Sequence, residues 1–306
     1  MRFFLIVLAS ISLTACATTK NIEVKQPAKS TLAASGMVEA GAITVDITPP
    51  PGMPMGGYSV MANKGEGFRT RLKARIVYLN DGKGHSMALV QTDLTAGSLL
   101  AHHMIAARVA EKTGLNPADI AMTASHSHSA PVNFFDNDFY NKHTSSGKWL
   151  EEQFLELVVS QISDGIIYAY ENRRPAKIAT GIKDVPGIAR NRALKAYVRN
   201  QNITDIDLDD PEAKFKAINP SLYMVRVDVK DDDGKYKPLA AYSGFSLHNT
   251  TLSVPVEVYN ADVFAYASKD LEWDLKKRYD TSWDVVHALT VATHGDLAPA
   301  TEDKGD

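Results

Sequence analysis

Cysteine is almost absent. Cys16 is the only one in 306 residues, so no intramolecular disulfide forms, and the rest of the chain has neither a cysteine-based metal site nor a thiol nucleophile. An apolar stretch long enough to cross a bilayer as a mature helix, about 20 residues, is missing too: the run "FFLIVLASISL" at residues 3–13 is too short. Neither sign of charge dominates. Lys and Arg number 33 against 36 Asp and Glu, a formal net charge of −3, which provides no electrostatic footprint for nucleic acid. Internal repeats are lacking. What is present, 44% hydrophobic and 23% charged residues, is the composition of an ordinary globular protein with enough length to bury a sizeable core.

The first residues carry an address. Met1-Arg2, the apolar run and "LTAC" at residues 13–16 have the layout of a secretory signal with a small-residue cleavage site. Leu-Thr-Ala-Cys also resembles a bacterial lipobox, in which the cysteine is lipidated and becomes the mature N-terminus. The expectation is a signal peptide at 1–15, lipidation of Cys16, a flexible tether at 16–38 rich in Thr, Lys, Ala and Ser, and one domain from 39 to 306. The resemblance implies an exported cell-envelope lipoprotein held at the membrane by its N-terminal lipid. A residue other than Asp after Cys16 implies outer-membrane sorting, facing periplasm or exterior. A plain signal peptide with an incidental cysteine is the alternative.

Beyond the tether, patterning alternates between strand and helix. "AGAITVDITPP" reads as a strand that stops near Thr48, since consecutive prolines cannot supply a sheet ladder. "RLKARIVYLNDGKGHSMALVQTDL" reads as a hairpin turning at Asn-Asp-Gly. "SLLAHHMIAARVAEKTG" has helical spacing and closes on Gly114. "ADIAMTAS" is a short buried-strand run. A long amphipathic helix follows in "GKWLEEQFLELVVSQISDGIIYAYENR". Strands at "AKIATGIKDV", "YMVRVDVK" and "PLAAYSGFSLH", a helix at "NADVFAYASKDLEWDLKKRY" and a strand at "DVVHALTVATHGD" complete the body. The mixture predicts an α/β fold: mixed β-sheets flanked by helices in a single large domain.

Chemistry concentrates in "TASHSHSAP" at residues 123–131. In an extended segment, side chains alternate faces, so His126 and His128 are expected to point the same way. They stand where a buried strand gives out into a loop, the position at which open α/β sheets place ligands. Two such imidazoles share a metal, or one binds metal while the other handles a proton; the plainer reading is a polar loop with solvated histidines. His248, in "YSGFSLHNTT", again follows a strand-like run. His85, His102, His103, His143 and His287 read as structural or solvated, His294 as borderline, and Trp149 and Trp273 as core or groove lining within helices.

In combination these segments resemble the N-terminal catalytic region of the neutral/alkaline non-lysosomal ceramidases. The likeness runs from about residue 39 to 300 through "AGAITVDITPP", "MGGYS", "FRTRLKARIVYL", "ALVQTDL", "TASHSHSAP", "RNRALKAY", "FSLHNTT", "NADVFAYAS" and "THGDLAP", in the family's order. It implies His126 and His248 as Zn2+ ligands, with His128 and Arg192 facing the substrate amide or the oxyanion. The implied reaction splits an N-acyl amide, ceramide-like lipid to fatty acid plus sphingoid base, by a zinc-activated water.

Two departures accompany the likeness. The family's motif serine is Ala298 here, and Ala193 replaces the serine after its Asn-Arg; neither alanine offers a nucleophile or a side-chain donor. The resemblance also implies a Glu and a Tyr ligand downstream of Asp306, so the domain is expected to be incomplete unless Asp93 or Asp296 substitutes. The alternatives are a zinc hydrolase of another envelope amide or ester, and a catalytically degenerate envelope lipoprotein binding lipid or glycan. No residue pattern sets an oligomeric state.

Overall fold

A computed structural model describes residues 21–25, 34–147 and 149–301. Residues 1–20, with Cys16 and the expected signal peptide, and most of the tether lie outside them.

Twelve strands lie among the described residues: β1 (Glu39–Asp46), β2 (Gly67–Phe68), β3 (Lys73–Asn80), β4 (Ser86–Thr92), β5 (Ile120–Ala124), β6 (Arg174–Asp184), β7 (Ala189–Asn191), β8 (Ser221–Lys230), β9 (Tyr236–Phe245), β10 (Val258–Tyr259), β11 (Val286–Val291) and β12 (Leu297–Pro299). The helices are α1 (Leu99–Thr113), α2 (Asp138–His143), α3 (Glu152–Glu171), the short α4 (Leu194–Tyr197) and α5 (Ala213–Lys216), and α6 (Asp262–Tyr279). Eight strands form one sheet in the order β11-β9-β8-β6-β1-β3-β4-β5. Most neighbours are antiparallel, while β4 with β5 and β9 with β11 are parallel, so the sheet is mixed as patterning predicts.

The sheet folds back on itself at the short β1–β6 pairing, where only Glu39 and Ala40 meet Pro175 and Arg174. As a result β11 packs across β3, β4 and β5. The molecule is thus four layers: α1 with α3, the β1-β3-β4-β5 half, the β6-β8-β9-β11 half, and α6. Alternation along the strands builds it. In β3, Ile76 and Tyr78 face the α1/α3 core while Val77 faces the second half-sheet, the period-two pattern of a pleated strand. Cover on both faces explains why β3 reads as nearly continuous apolar sequence.

The helices follow the same logic. Phe154, Val158, Ile162 and Ile166 of α3 recur every fourth residue and are all buried, each contributing about 1.5–3 kcal/mol on transfer from water. Helix α1 is capped by the Ser98 side chain and ends at Gly114 with φ 70°, the left-handed closure expected from its sequence. Trp149 lines an open groove with Phe135 and Leu150, as expected, whereas Trp273 is not part of the core. Trp149 precedes α3 and is 63% exposed, and Trp273 sits on the outer face of α6 at 70%. Trp273 falls outside the face that α6 buries. His143 ends α2 instead of lying in a loop.

Candidate metal centre

The carboxyl ends of the two parallel pairs meet edge to edge. Thr290 of β11 donates its hydroxyl to Ala124 O of β5 at 2.9 Å, and the loops that leave β5, β9 and β11 converge above this contact. His126 and His128 come from the first, His248 from the second and His294 from the third.

Three ring nitrogens converge closely. The Nε2 atoms of His126, His128 and His248 stand 3.1 Å from one another in each of the three pairs. Tetrahedral nitrogen ligands at 2.0–2.1 Å from zinc are themselves about 3.3 Å apart, so the donor set fits a divalent ion. His126 and His248 are each fixed from behind. His126 Nδ1 donates to Thr95 O at 2.6 Å and His248 Nδ1 to His294 O at 3.1 Å. A carbonyl on Nδ1 leaves Nε2 as the free lone pair, the tautomer a metal requires.

Electrostatics agree. Burial, reinforced by the neighbouring histidines and Arg192, pushes His128 down to about 3 and His248 down to about 4, and burial also lowers His126. All three rings are neutral at pH 7 and available as lone-pair donors.

The expected convergence is real, but its cause differs. His126 is not extended: β5 ends at Ala124 and His126 has φ 60°. The pair meets because the backbone turns through the left-handed region, not because a strand alternates. His248 joins through the fold of the sheet. Arg192 follows β7 and lines the same cavity of about 500 Å3 with Tyr58, Thr250 and Ser253; its Nε and Nη2 donate to Gly295 O at 3.3 and 2.9 Å. Ala298 lies in β12 opposite Arg190 of β7, and the Ala193 amide donates to Asn191 Oδ1.

Neither aspartate considered as a substitute ligand joins the cluster. Asp93 is buried, ion-paired to Arg75 at 2.8 Å and bonded to the Lys73 amide. Asp296 accepts from Asn191 Nδ2. Among the described residues, the group whose ligand atoms all lie within 4.8 Å of one another is the three histidines. Sequence reasoning did not place Thr95, whose contribution is a backbone carbonyl, or Gly57, against which His128 packs. It left His294 borderline. That ring packs 4.4 Å from His126 and 5.2 Å from His248, and its position just before Gly-Asp was the available signal.

The family model for the N-terminal part of neutral/alkaline non-lysosomal ceramidases matches residues 39–305. The chain belongs to that family. Neutral ceramidase 1 of Arabidopsis thaliana is 24% identical over 230 residues, covering 74% of this chain and 28% of the plant protein. The neutral ceramidase of Drosophila pseudoobscura is 24% identical over 270 residues, covering 87% and 36%. The crystal structure of neutral ceramidase from Pseudomonas aeruginosa superposes with a TM-score of 0.74 at 24% identity, over 88% of this chain and 41% of that one. The ceramidase fold is therefore shared, and the chain spans 28–36% of the length of these curated relatives.

Proposed function

We propose that this ceramidase-family chain carries the histidine half of a zinc-dependent amidohydrolase site that splits N-acyl amides of ceramide-like lipids into fatty acid and amine. The observation that supports it most is the convergence of three neutral Nε2 donors with Arg192 in one open cavity. His126 and His248, braced by Thr95 and His294, would hold the ion. When bound, zinc lowers the pKa of water and polarises the amide carbonyl.

The remaining work falls to the chain. His128 lines the same cavity as a neutral imidazole and would accept a proton from the attacking water and pass it to the leaving nitrogen. Arg192 offers positive charge where the oxyanion develops. Water adds its oxygen to the acyl carbon and the C–N bond breaks, giving acid and amine. Zinc-loaded protein is expected to cleave an N-acyl sphingoid amide, and His126→Ala to abolish both metal binding and turnover; unchanged turnover in that variant would sink the assignment.

A second reading has its own observation. Ala298 and Ala193 stand where the family's serines are expected, which removes two hydroxyls and favours a different envelope amide or ester. Cleavage of short N-acyl amides or esters with no cleavage of ceramide would select it. We also propose that Cys16 carries a lipid anchor, so that the protein works in the cell envelope. Labelled palmitate should enter the wild-type protein and not Cys16→Ser.

A further inference from the structure

The three histidines meet at one point but are held differently. His126 and His248 each have a carbonyl on Nδ1. The Nδ1 of His128 is buried with no hydrogen-bond partner. No hydrogen bond on that side sets its orientation, so packing has to do it.

The packing comes from Gly57 and Tyr58. Gly57 has φ 92°, and a Cβ built there would stand 2.3 Å from Cγ of His128; the bare backbone is what lets the loop close on the ring. Tyr58 meets the imidazole edge-on, with centroids 4.7 Å apart and planes at 73°. Its hydroxyl donates to Leu252 O at 2.5 Å. The Leu252 loop is gripped from the other side by the Asp262 carboxylate, which accepts from the Leu252 amide at 3.3 Å and from the Thr251 hydroxyl. That loop carries Thr250, Ser253 and Val254 into the cavity wall. Burial, with Asp262 adding to it, pushes the Tyr58 hydroxyl up to about 12, so it remains a donor at working pH.

We propose that Tyr58 is a positioning residue with two separable tasks: its ring fixes the His128 imidazole, and its hydroxyl fastens the Thr250–Val254 wall of the cavity. The proposal rests on reading this cavity as the amide-hydrolase site. Tyr58→Phe keeps the ring and removes only the tie to Leu252, whereas Tyr58→Leu removes both. In the Phe variant KM should rise about fivefold, the loss of one hydrogen bond, with kcat held within about twofold. In the Leu variant kcat should fall about 100-fold, the usual cost of a misplaced general acid–base group. Zinc stoichiometry should be unchanged in both, because Thr95 and His294 hold the two ligand rings independently of Tyr58.

Long-range 1H–15N NMR of the imidazoles tests the same claim without turnover. In the parent protein, His128 should show one sharp set of ring correlations. Those should broaden or shift in Tyr58→Leu and persist in Tyr58→Phe, while the His126 and His248 signals stay in place in both. Unaltered His128 correlations in the Leu variant, or a Phe variant as impaired in kcat as the Leu variant, would overturn the proposal. A parent protein that neither binds zinc nor cleaves any amide overturns the hydrolase reading instead, and the NMR comparison still decides the role of Tyr58.

Discussion

Alanine at Gly57 would put a methyl group 2.3 Å from the His128 ring at a φ of 92°, a conformation L-residues avoid. Gly57→Ala is therefore expected to displace His128 and cut kcat about 100-fold, with zinc still bound by His126 and His248. Steady-state kinetics paired with metal analysis checks this, and an equal loss of metal would show that Gly57 shapes the whole cluster. At this scale the sequence revealed side chains better than backbone. His126, His128 and His248 were legible because imidazoles at strand ends stand out from their surroundings, whereas Arg192 came only with the family resemblance. Thr95 and the backbone part of His294 were not, because a carbonyl oxygen has the same chemistry in every residue and only the fold says which one faces a ring.

Arg75 of β3 shows what binds element to element. It is buried, paired with Asp93 at 2.8 Å and with Glu272 of α6 at 3.4 Å, and bonded to Gln91 of β4. Glu272 also accepts from the His287 amide of β11, so one guanidinium spans both half-sheets and the outer helix. Removing one partner of a buried ion network leaves the others desolvated and unpaired, so Arg75→Ala should cost about 3–5 kcal/mol. Urea denaturation reads this directly, and a loss under about 1 kcal/mol would mean that water replaces the guanidinium. Gly41 of β1 is a steric counterpart. An added Cβ would fall 1.8 Å from Ala169 O of α3, and the helix would have to back off, at about 1–3 kcal/mol or more.

Elements with a strong period were legible in the sequence: the β3–β4 hairpin, α1 with its glycine cap, and α3. The short α4 and α5 were not, since four residues carry too little periodicity to register. The exposed Trp273 misled for a related reason. Aromatic character suggested burial, whereas the angular position of Trp273 on α6 decided it.

At the scale of the molecule, four histidines carry a pH dependence, His126 among them. Burial pushes His128 down to about 3, and His248 and His287 down to about 4, against about 6.5 in an unfolded chain. The unfolded state therefore binds more protons below pH 6.5, and stability rises with pH across that window. Metal-free protein should be most stable above pH 6.5 and lose stability steadily as pH falls toward 4. His287, bonded through Nε2 to Ser243 at 2.9 Å, lies away from the cluster and isolates one share of the effect. His287→Gln should shrink the difference in urea midpoint between pH 7 and pH 5, and an undiminished difference would remove His287 from the account.

His126 and His128 leave β5 of one half-sheet, and His248 leaves β9 of the other. Among the described residues the two halves are joined in the backbone ladder only at the narrow β1–β6 pairing, so a bound ion would act as a rivet across a seam. An unfolded chain has no such site, and at 100 times Kd a ligand bound only to the folded state adds about 2.7 kcal/mol. Zinc should therefore slow the parting of the two layers as well as raise the melting temperature. Amide exchange in β9 and β11 is where that would show, with protection gained on loading and lost on chelation.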